Sequence, residues 1–172
     1  DPAVRRIFAI YFVAFLANQM SRPYQALIVE GIVGSGAGLE SSIGFVAGTA
    51  AFVGAIIAPL GGVVGDRIGF RPVLIVSLFV GGFALLAVPL IHAIPPLAAS
   101  ILVFTAANGL VGAMVFSLLA TEVPADRRSQ TLNLVYLPLY AAGIIGPLVG
   151  GAVSAVAGPT GPFWAGAAVF LV

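Results

Sequence analysis

Long, nearly uninterrupted apolar stretches restrict the fold of this chain more than any other feature. A helix of about 20 mostly apolar residues crosses the hydrocarbon core of a bilayer. Five stretches reach about that length, and a shorter sixth ends the sequence: 7–33, 43–64, 73–91, 97–120, 131–156 and 163–172. The sequence therefore predicts an all-α, polytopic membrane helix bundle. We expect residues 1–172 to form one domain of six spans, with the last span truncated.

The composition agrees with a lipid environment and excludes several classes of site. Of the 172 residues, 60% are hydrophobic and 8% are charged, whereas soluble domains carry about 25% charged residues. The absence of cysteine excludes disulfide scaffolds and thiol chemistry. One histidine, His92, cannot build a metal site, and a net charge of +1 does not provide the strongly basic surface that binds nucleic acid. We expect a bilayer as partner, with no metal, no cofactor, no nucleic acid and no enzymatic activity.

The arginines predict the orientation of the spans. Six of the seven lie before the first stretch or in the connectors after the second and fourth: Arg5, Arg6, Arg67, Arg71, Arg127 and Arg128. The connectors 34–42, 92–96 and 157–162 contain none. Because basic residues concentrate on the cytoplasmic side of membrane proteins, the N-terminus and the arginine-containing connectors are predicted to be cytoplasmic.

An internal repeat is visible between the second and fifth stretches. Segment 54–62 resembles segment 143–151, with Pro59 aligned on Pro147, 88 residues later. This separation equals about three spans, so the two copies would enter the membrane with opposite polarity. Inverted three-plus-three repeats are typical of transporters. The alternative is a chance alignment, because glycine, proline and leucine are common in membrane helices.

Arg22 is the seventh arginine, and it interrupts the first apolar stretch. An unpaired charge at such a depth costs at least about 2.5–3.5 kcal/mol. At 100° per residue, Tyr11, Asn18 and Gln25 share its helix face, which indicates a water-filled cavity or a bundle interior. Arg22 could contact a substrate or pair with a carboxylate elsewhere. Alternatively, it is satisfied by backbone carbonyls or extends to the membrane surface.

A second face that could line a cavity lies in the fifth stretch. Asn133, Tyr136 and Tyr140 share this face, and tyrosines offer an apolar ring with a polar hydroxyl to an aromatic or amphipathic solute. Tyr140 is the candidate cavity residue here. The alternative is an aromatic belt at the membrane surface, which fits Tyr136 better.

The connector after the second stretch carries a recognisable motif. Residues 62–74 read Gly-Val-Val-Gly-Asp-Arg-Ile-Gly-Phe-Arg-Pro-Val-Leu. They resemble the signature loop of the major facilitator superfamily, Gly-x-Leu-Ala-Asp-Arg-x-Gly-Arg-Lys-x-x-Leu, with Phe70 in place of the first of its two final basic residues. The resemblance implies a conformational latch formed by Gly62, Asp66, Arg67, Gly69 and Arg71. The alternative is an ordinary positively charged cytoplasmic loop.

Two further motifs bear on the type of transporter. Gly146-Pro147-x-x-Gly150-Gly151 resembles a signature of the drug–proton antiporters of this superfamily, with Ala142 in place of its upstream glycine. Close helix packing is the alternative role for these small residues. In the fourth stretch, Asn108-Gly109 matches a second signature, but Thr105 stands at its arginine position. That departure is typical of the C-terminal half of a twelve-span transporter.

Together these resemblances imply one six-helix half of a transporter in the cytoplasmic membrane of a bacterium. We expect the C-terminal half, because the signature arginine is absent; the N-terminal half, which the Gly-Pro motif favours, is the alternative. It would export drug-like or sugar-like small molecules in exchange for protons, by alternating access against a second six-helix half. The expected cavity contacts are Asn18, Arg22, Gln25, Thr105, Asn108 and Tyr140. The alternatives are a nutrient or metabolite importer and a membrane protein that uses the same fold without transport.

Overall fold

A computed structural model describes residues 2–171 of the chain, with the side chains of residues 4–124, 127 and 129–171. The described residues form α-helices joined by short connections and contain no strand, which confirms the predicted all-α fold. The helices are α1 (Pro2–Ser21), α2 (Gln25–Val33), α3 (Leu39–Ile68), α4 (Phe70–Ala87), α5 (Ile94–Glu122), α6 (Ala125–Leu134), α7 (Tyr136–Ala157) and α8 (Gly161–Leu171).

Four helical segments in the described part of the chain are long and apolar enough to cross a membrane. They are Leu39–Ile68, Phe70–Leu90, Ile94–Glu122 and Ser129–Ala157. Helix α1 is less apolar because it contains Arg5 and Arg6 near its start and ends in the polar sequence Asn-Gln-Met-Ser, and α8 has 11 residues. The structure therefore agrees with a membrane helix bundle.

Two of the predicted stretches are each divided into two helices. The first is interrupted at Arg22–Tyr24 by one turn of 3-10 helix between α1 and α2. Pro23 lies in this turn and has no N–H to continue the α-helical hydrogen bonds. The Ser21 hydroxyl donates to the Ala17 carbonyl at 2.9 Å just before the break. The fifth stretch is divided at Val135, between α6 and α7.

Several helices begin earlier than the sequence predicts. The second apolar stretch begins at residue 43, but α3 begins at Leu39, after Gly38 with φ of 104°. The Ser41 hydroxyl donates to the Gly38 carbonyl at 2.9 Å. Helix α5 similarly begins at Ile94, so the Pro95-Pro96 pair lies in its first turn. A proline is tolerated there because the first N–H groups of a helix have no intrahelical acceptor.

The contacts between helices show an internal symmetry between the two halves of the chain. Helix α5 packs on α3 and α4, whereas α1 packs on α7 and α8, and α4 and α8 pack on each other. Exchanging α1 with α5, α3 with α7 and α4 with α8 converts α3–α5 into α1–α7 and α4–α5 into α1–α8, and it leaves α4–α8 unchanged. This is the contact pattern that an inverted three-plus-three repeat produces, and it agrees with the predicted relation between 54–62 and 143–151.

The core lies around α5 and α1, and the flanking helices present apolar faces outward. Buried side chains of α5 include Phe104, Val111 and Met114. On α3 and α7, by contrast, large side chains such as Phe52 and Leu148 are 69% exposed. Exposed apolar surface of this extent is expected where a protein meets lipid or another protein. Helices α1 and α5 therefore form the centre of the bundle.

Candidate functional site

A pocket of about 190 Å³ opens where α1, α2, α3 and α5 meet. It gathers four of the six side chains predicted from the sequence to contact a solute: Asn18, Arg22, Gln25 and Thr105. The remaining lining residues are Ala47, Ala50, Ala51 and Ile101. We refer to this site as the Arg22 pocket.

The polar side of the Arg22 pocket is built by one face of α1 and the break that follows it. Asn18 and Arg22 are four residues apart, which places them one above the other on the same helix face. Gln25 is the first residue of α2, directly after the 3-10 turn. The break therefore keeps a polar side chain from each of the two helices at the same pocket.

Arg22 presents an unneutralised positive charge within the described part of the chain. Its side chain is exposed, and no described Asp or Glu forms a salt bridge with it. No carboxylate lines the pocket either. A guanidinium offers five N–H donors in a planar arrangement that matches the two oxygens of a carboxylate. The site can therefore bind an anionic group or pair with a carboxylate from outside these residues.

Small residues of α3 form another wall of the pocket, and the sequence did not predict this wall. Ala47, Ala50 and Ala51 recur at the three- and four-residue spacing of one helix face. Their methyl groups leave the space that larger apolar side chains would fill. The signal available in the sequence was this alanine spacing, but alanine is too common in membrane helices for it to be distinctive.

The contact between α3 and α5 positions Thr105. A Cβ built at Gly54 would lie 3.3 Å from the Thr105 γ-methyl, and one built at Gly109 would lie 3.7 Å from the Ala58 Cβ. The two helices are therefore close beside the pocket. Asn108 is half-buried on the same helix, but it is not among the residues that line the pocket.

Tyr140 also lies away from the Arg22 pocket, at the end of a row of aromatic rings. Phe15 contacts Tyr11 with ring centroids 6.2 Å apart, and Tyr11 meets the Phe116 ring edge-on at 6.1 Å. Phe116 in turn lies 6.5 Å from Tyr136, which stacks on Tyr140 at 6.3 Å. We call these five rings the aromatic row; it crosses from α1 over α5 to α7. Phe116, which connects the helices, was not singled out from the sequence.

The signature loop forms the turn between α3 and α4. Gly69 has φ of 94°, a conformation that side chains other than glycine rarely adopt. Phe70, at the position where the motif has a basic residue, folds back on α3: a Cβ at Gly65 would lie 2.5 Å from its ring. Asp66 and Arg67 are exposed. The loop thus combines a half-buried aromatic ring that packs on α3 with two exposed charged side chains that can meet solvent or another surface.

Arg71 connects this loop to the far end of α5. Its guanidinium donates to the Glu122 carboxylate at 2.5 Å. The pair joins the first turn of α4 to the last turn of α5. Gly62, at the start of the motif, has no neighbouring atom within 4 Å of a built Cβ.

The Gly-Pro motif of α7 faces α1. A Cβ at Gly146 would lie 2.5 Å from the Gln19 Cβ, and one at Gly150 would lie 2.7 Å from the Met20 carbonyl oxygen. Gly151, in contrast, has the Tyr24 hydroxyl as its nearest neighbour, at 3.9 Å, and Pro147 is exposed. Two of the four motif residues therefore form the contact between α7 and α1.

Comparisons with known proteins agree with this architecture. The family model described as Major Facilitator Superfamily matches residues 7–172. Two curated relatives from Mycobacterium tuberculosis, MFS-type transporters of strains CDC 1551 and H37Rv, are each 34% identical to this chain over 138 residues. The match covers 76% of this chain and 30% of each relative. The chain thus spans less than a third of the length of these relatives, and it belongs to the major facilitator superfamily of transporters.

Proposed function

We propose that the protein containing this chain exports small molecules in exchange for protons, by alternating access. The supporting observation is that Asn18, Arg22 and Gln25 meet Thr105 of α5 around one pocket. Charged and polar side chains within membrane helices are costly and mark solute or ion pathways. Secondary transporters place such sites near broken helices at the interface between repeats, and the α1–α2 break lies at this pocket.

The direction of transport and the proton coupling are proposed from the α7 motif. Its Gly-Pro-x-x-Gly-Gly sequence resembles the signature of drug–proton antiporters, and Gly146 and Gly150 hold α7 against α1. This contact would transmit movement of α7 to the helix that carries Arg22. An importer of nutrients or metabolites, or a protein that uses the fold without transport, is the alternative to be tested.

The signature loop is proposed to act as a conformational latch at the cytoplasmic end. The Arg71–Glu122 pair fixes its α4 side to α5, while Asp66 and Arg67 remain exposed for contact with the second half of the transporter. We propose that this chain is the C-terminal half and that Arg5, Arg67 and Arg71 lie on the cytoplasmic side of a bacterial plasma membrane, attracted by anionic lipids.

Proton-driven flux in proteoliposomes tests the function. The full-length protein would be reconstituted and assayed with fluorescent drug-like dyes and radiolabelled sugars under opposite pH gradients. Exchange predicts accumulation when the vesicle interior is acidic, because protons leave as the solute enters. Accumulation driven by an acidic exterior would identify an importer that moves solute and protons together. Absence of flux for every solute under both gradients would contradict transport.

A further inference from the structure

We infer that the Arg22 pocket binds the carboxylate of a singly charged aromatic acid whose ring lies against the neighbouring end of the aromatic row. The inference rests on the proposed transport function and adds the chemical class of the solute. Three observations support it: the charge of the pocket, its neutral polar groups and the aromatic rings that precede them along α1.

The charge of the lining indicates a single negative charge on the solute. Arg22 is the one charged residue among those that line the pocket, and no described carboxylate pairs with it. A cationic solute would be repelled by the guanidinium. A doubly charged phosphate would keep one charge without a partner, because no second cation lines the pocket. A carboxylate matches both the charge and the two-pronged donor geometry of arginine.

The neutral polar residues can complete the recognition of a carboxylate. An ionised carboxylate accepts about four hydrogen bonds, and a guanidinium fork supplies two of them. Asn18, Gln25 and Thr105 each carry a side-chain donor and line the same pocket. Because these groups are uncharged, they add directional contacts without changing the balance of charge.

The aromatic row provides the surface for the rest of the solute. Phe15 and Tyr11 lie on the same α1 face as Asn18 and Arg22. Phe15 is three residues from Asn18, about 4.5 Å along the helix, and is partly exposed, whereas Tyr11 is buried against Phe116 behind it. Aromatic rings favour edge-to-face and offset contacts with other rings. A pocket of about 190 Å³ holds the carboxyl end, and the rings would extend along this wall.

A competing role for Arg22 is a fixed ion pair with a carboxylate in the remainder of the protein. The two roles predict different results when Arg22 is replaced. Loss of a fixed pair would weaken the binding of every solute and lower the melting temperature, since a partner charge would be left buried. Loss of a substrate contact would weaken the binding of acids alone.

A matched set of three solutes tests the inference with the full-length protein. They are 2-naphthylacetate, 2-naphthylacetamide and 2-(2-naphthyl)ethylamine, which share the ring system and differ in charge. Binding to the purified protein would be measured at pH 7.5 by equilibrium dialysis. We expect the carboxylate to bind at least about 10-fold more tightly than the amide, and the amine to bind most weakly.

The variants Arg22→Ala and Arg22→Lys complete the test. Arg22→Ala should remove the preference for the carboxylate while changing amide affinity by less than about 2-fold. Arg22→Lys should lose most of the preference for the carboxylate, because an ammonium group lacks the planar pair of N–H donors with which a guanidinium binds both carboxylate oxygens. Arg5→Ala, which removes an exposed arginine at the other end of α1, should retain the full preference.

Several results would overturn the inference. They are tighter binding of the amide or amine, binding of none of the three solutes, a preference that survives Arg22→Ala, and equal losses for all three solutes with a lowered melting temperature. None of these results would contradict the proposed function, because that function is tested by proton-driven flux of the dyes and sugars and not by binding of naphthyl solutes. Absence of all proton-driven flux would contradict the proposed function itself.

Discussion

Gly150 of α7 lies directly against the backbone of Met20 in α1, where an added Cβ would stand 2.7 Å from the carbonyl oxygen. One turn earlier, Gly146 meets Gln19 in the same way. The two helices therefore touch backbone to backbone immediately before the break that carries Arg22. Small residues permit such an approach in membrane helices, so this contact holds α7 against the last turn of α1, next to the pocket.

Gly150→Ala should destabilise the bundle, because the added methyl group meets backbone atoms that cannot move aside. Overpacking of this kind costs about 1–3 kcal/mol. The melting temperature in detergent measures the loss. Gly151→Ala is the matched control, since its nearest neighbour is the Tyr24 hydroxyl at 3.9 Å. Equal melting temperatures for the two variants would contradict the assigned contact.

Gly61→Ala should destabilise the protein less than Gly150→Ala. The new Cβ at Gly61 would collide with the Leu110 side chain and approach Met114, and both of these side chains can change rotamer. Gly62→Ala, with no atom within 4 Å, should leave the melting temperature close to that of the parent. A loss for Gly61→Ala as large as that for Gly150→Ala would show that the α3–α5 contact is as rigid as the α1–α7 contact.

Breaking the Arg71–Glu122 pair should have a small effect on stability. The Arg71 side chain is 73% exposed and the Glu122 side chain 23%, and exposed pairs contribute about 0–1 kcal/mol. Glu122→Gln, Arg71→Ala and the double variant form a double-mutant cycle, read as melting temperatures at low and high salt. We expect a coupling of less than about 1 kcal/mol that decreases with salt. A larger, salt-independent coupling would contradict a solvent-exposed pair.

Asp66→Asn should impair transport by the full-length protein without affecting its insertion into the membrane. The change removes a charge from the exposed loop between α3 and α4, so it acts on pairing in one conformational state and leaves the apolar spans unchanged. Flux in proteoliposomes and yield in membranes are the two measurements. Glu40→Gln makes the same chemical change at an exposed position at the opposite end of α3 and should transport normally. Parental flux in Asp66→Asn would contradict the latch.

Arg22→Cys should react with a small water-soluble thiol reagent if the pocket is open to water. This chain contains no cysteine, so any cysteines in the remainder of the protein would first be replaced. Ala14→Cys is the control, because Ala14 is fully buried and should not react. An unreactive cysteine at position 22 in every conformational state, together with normal transport by Arg22→Ala, would contradict a solvated cavity.

The polar face of the first span was predictable because its signal is strong. Asn18, Arg22 and Gln25 are polar residues in an apolar stretch, and the high cost of placing them in lipid requires a common solvated environment. The structure places all three at one pocket. The helical spacing of the residues was sufficient for this result, even though a turn separates Arg22 from Gln25.

The placement of Asn108 and Tyr140 was harder to predict, because it depends on how α5 and α7 are rotated. In membrane proteins both the lipid-facing and the core-facing sides of a helix are apolar, so hydrophobic periodicity does not set this rotation. On α7 the rotation follows from Gly146 and Gly150, which turn toward α1 and leave Tyr140 66% exposed. The helix starts at Leu39 and Ile94 were missed because the apolar stretches begin only at residues 43 and 97, whereas α3 starts directly after Gly38 and α5 includes Pro95 and Pro96 in its first turn.

Because α1 packs on α7 and α8, its contacts to these helices can form only after both of them have been synthesised. Helix α1 precedes the other described helices along the chain, yet Gly146 and Gly150, which contact its last turn, are translated only after α3, α4, α5 and α6. Membrane helices insert as separate units before they associate. Between these two steps α1 holds Arg22 without its contacts to α7.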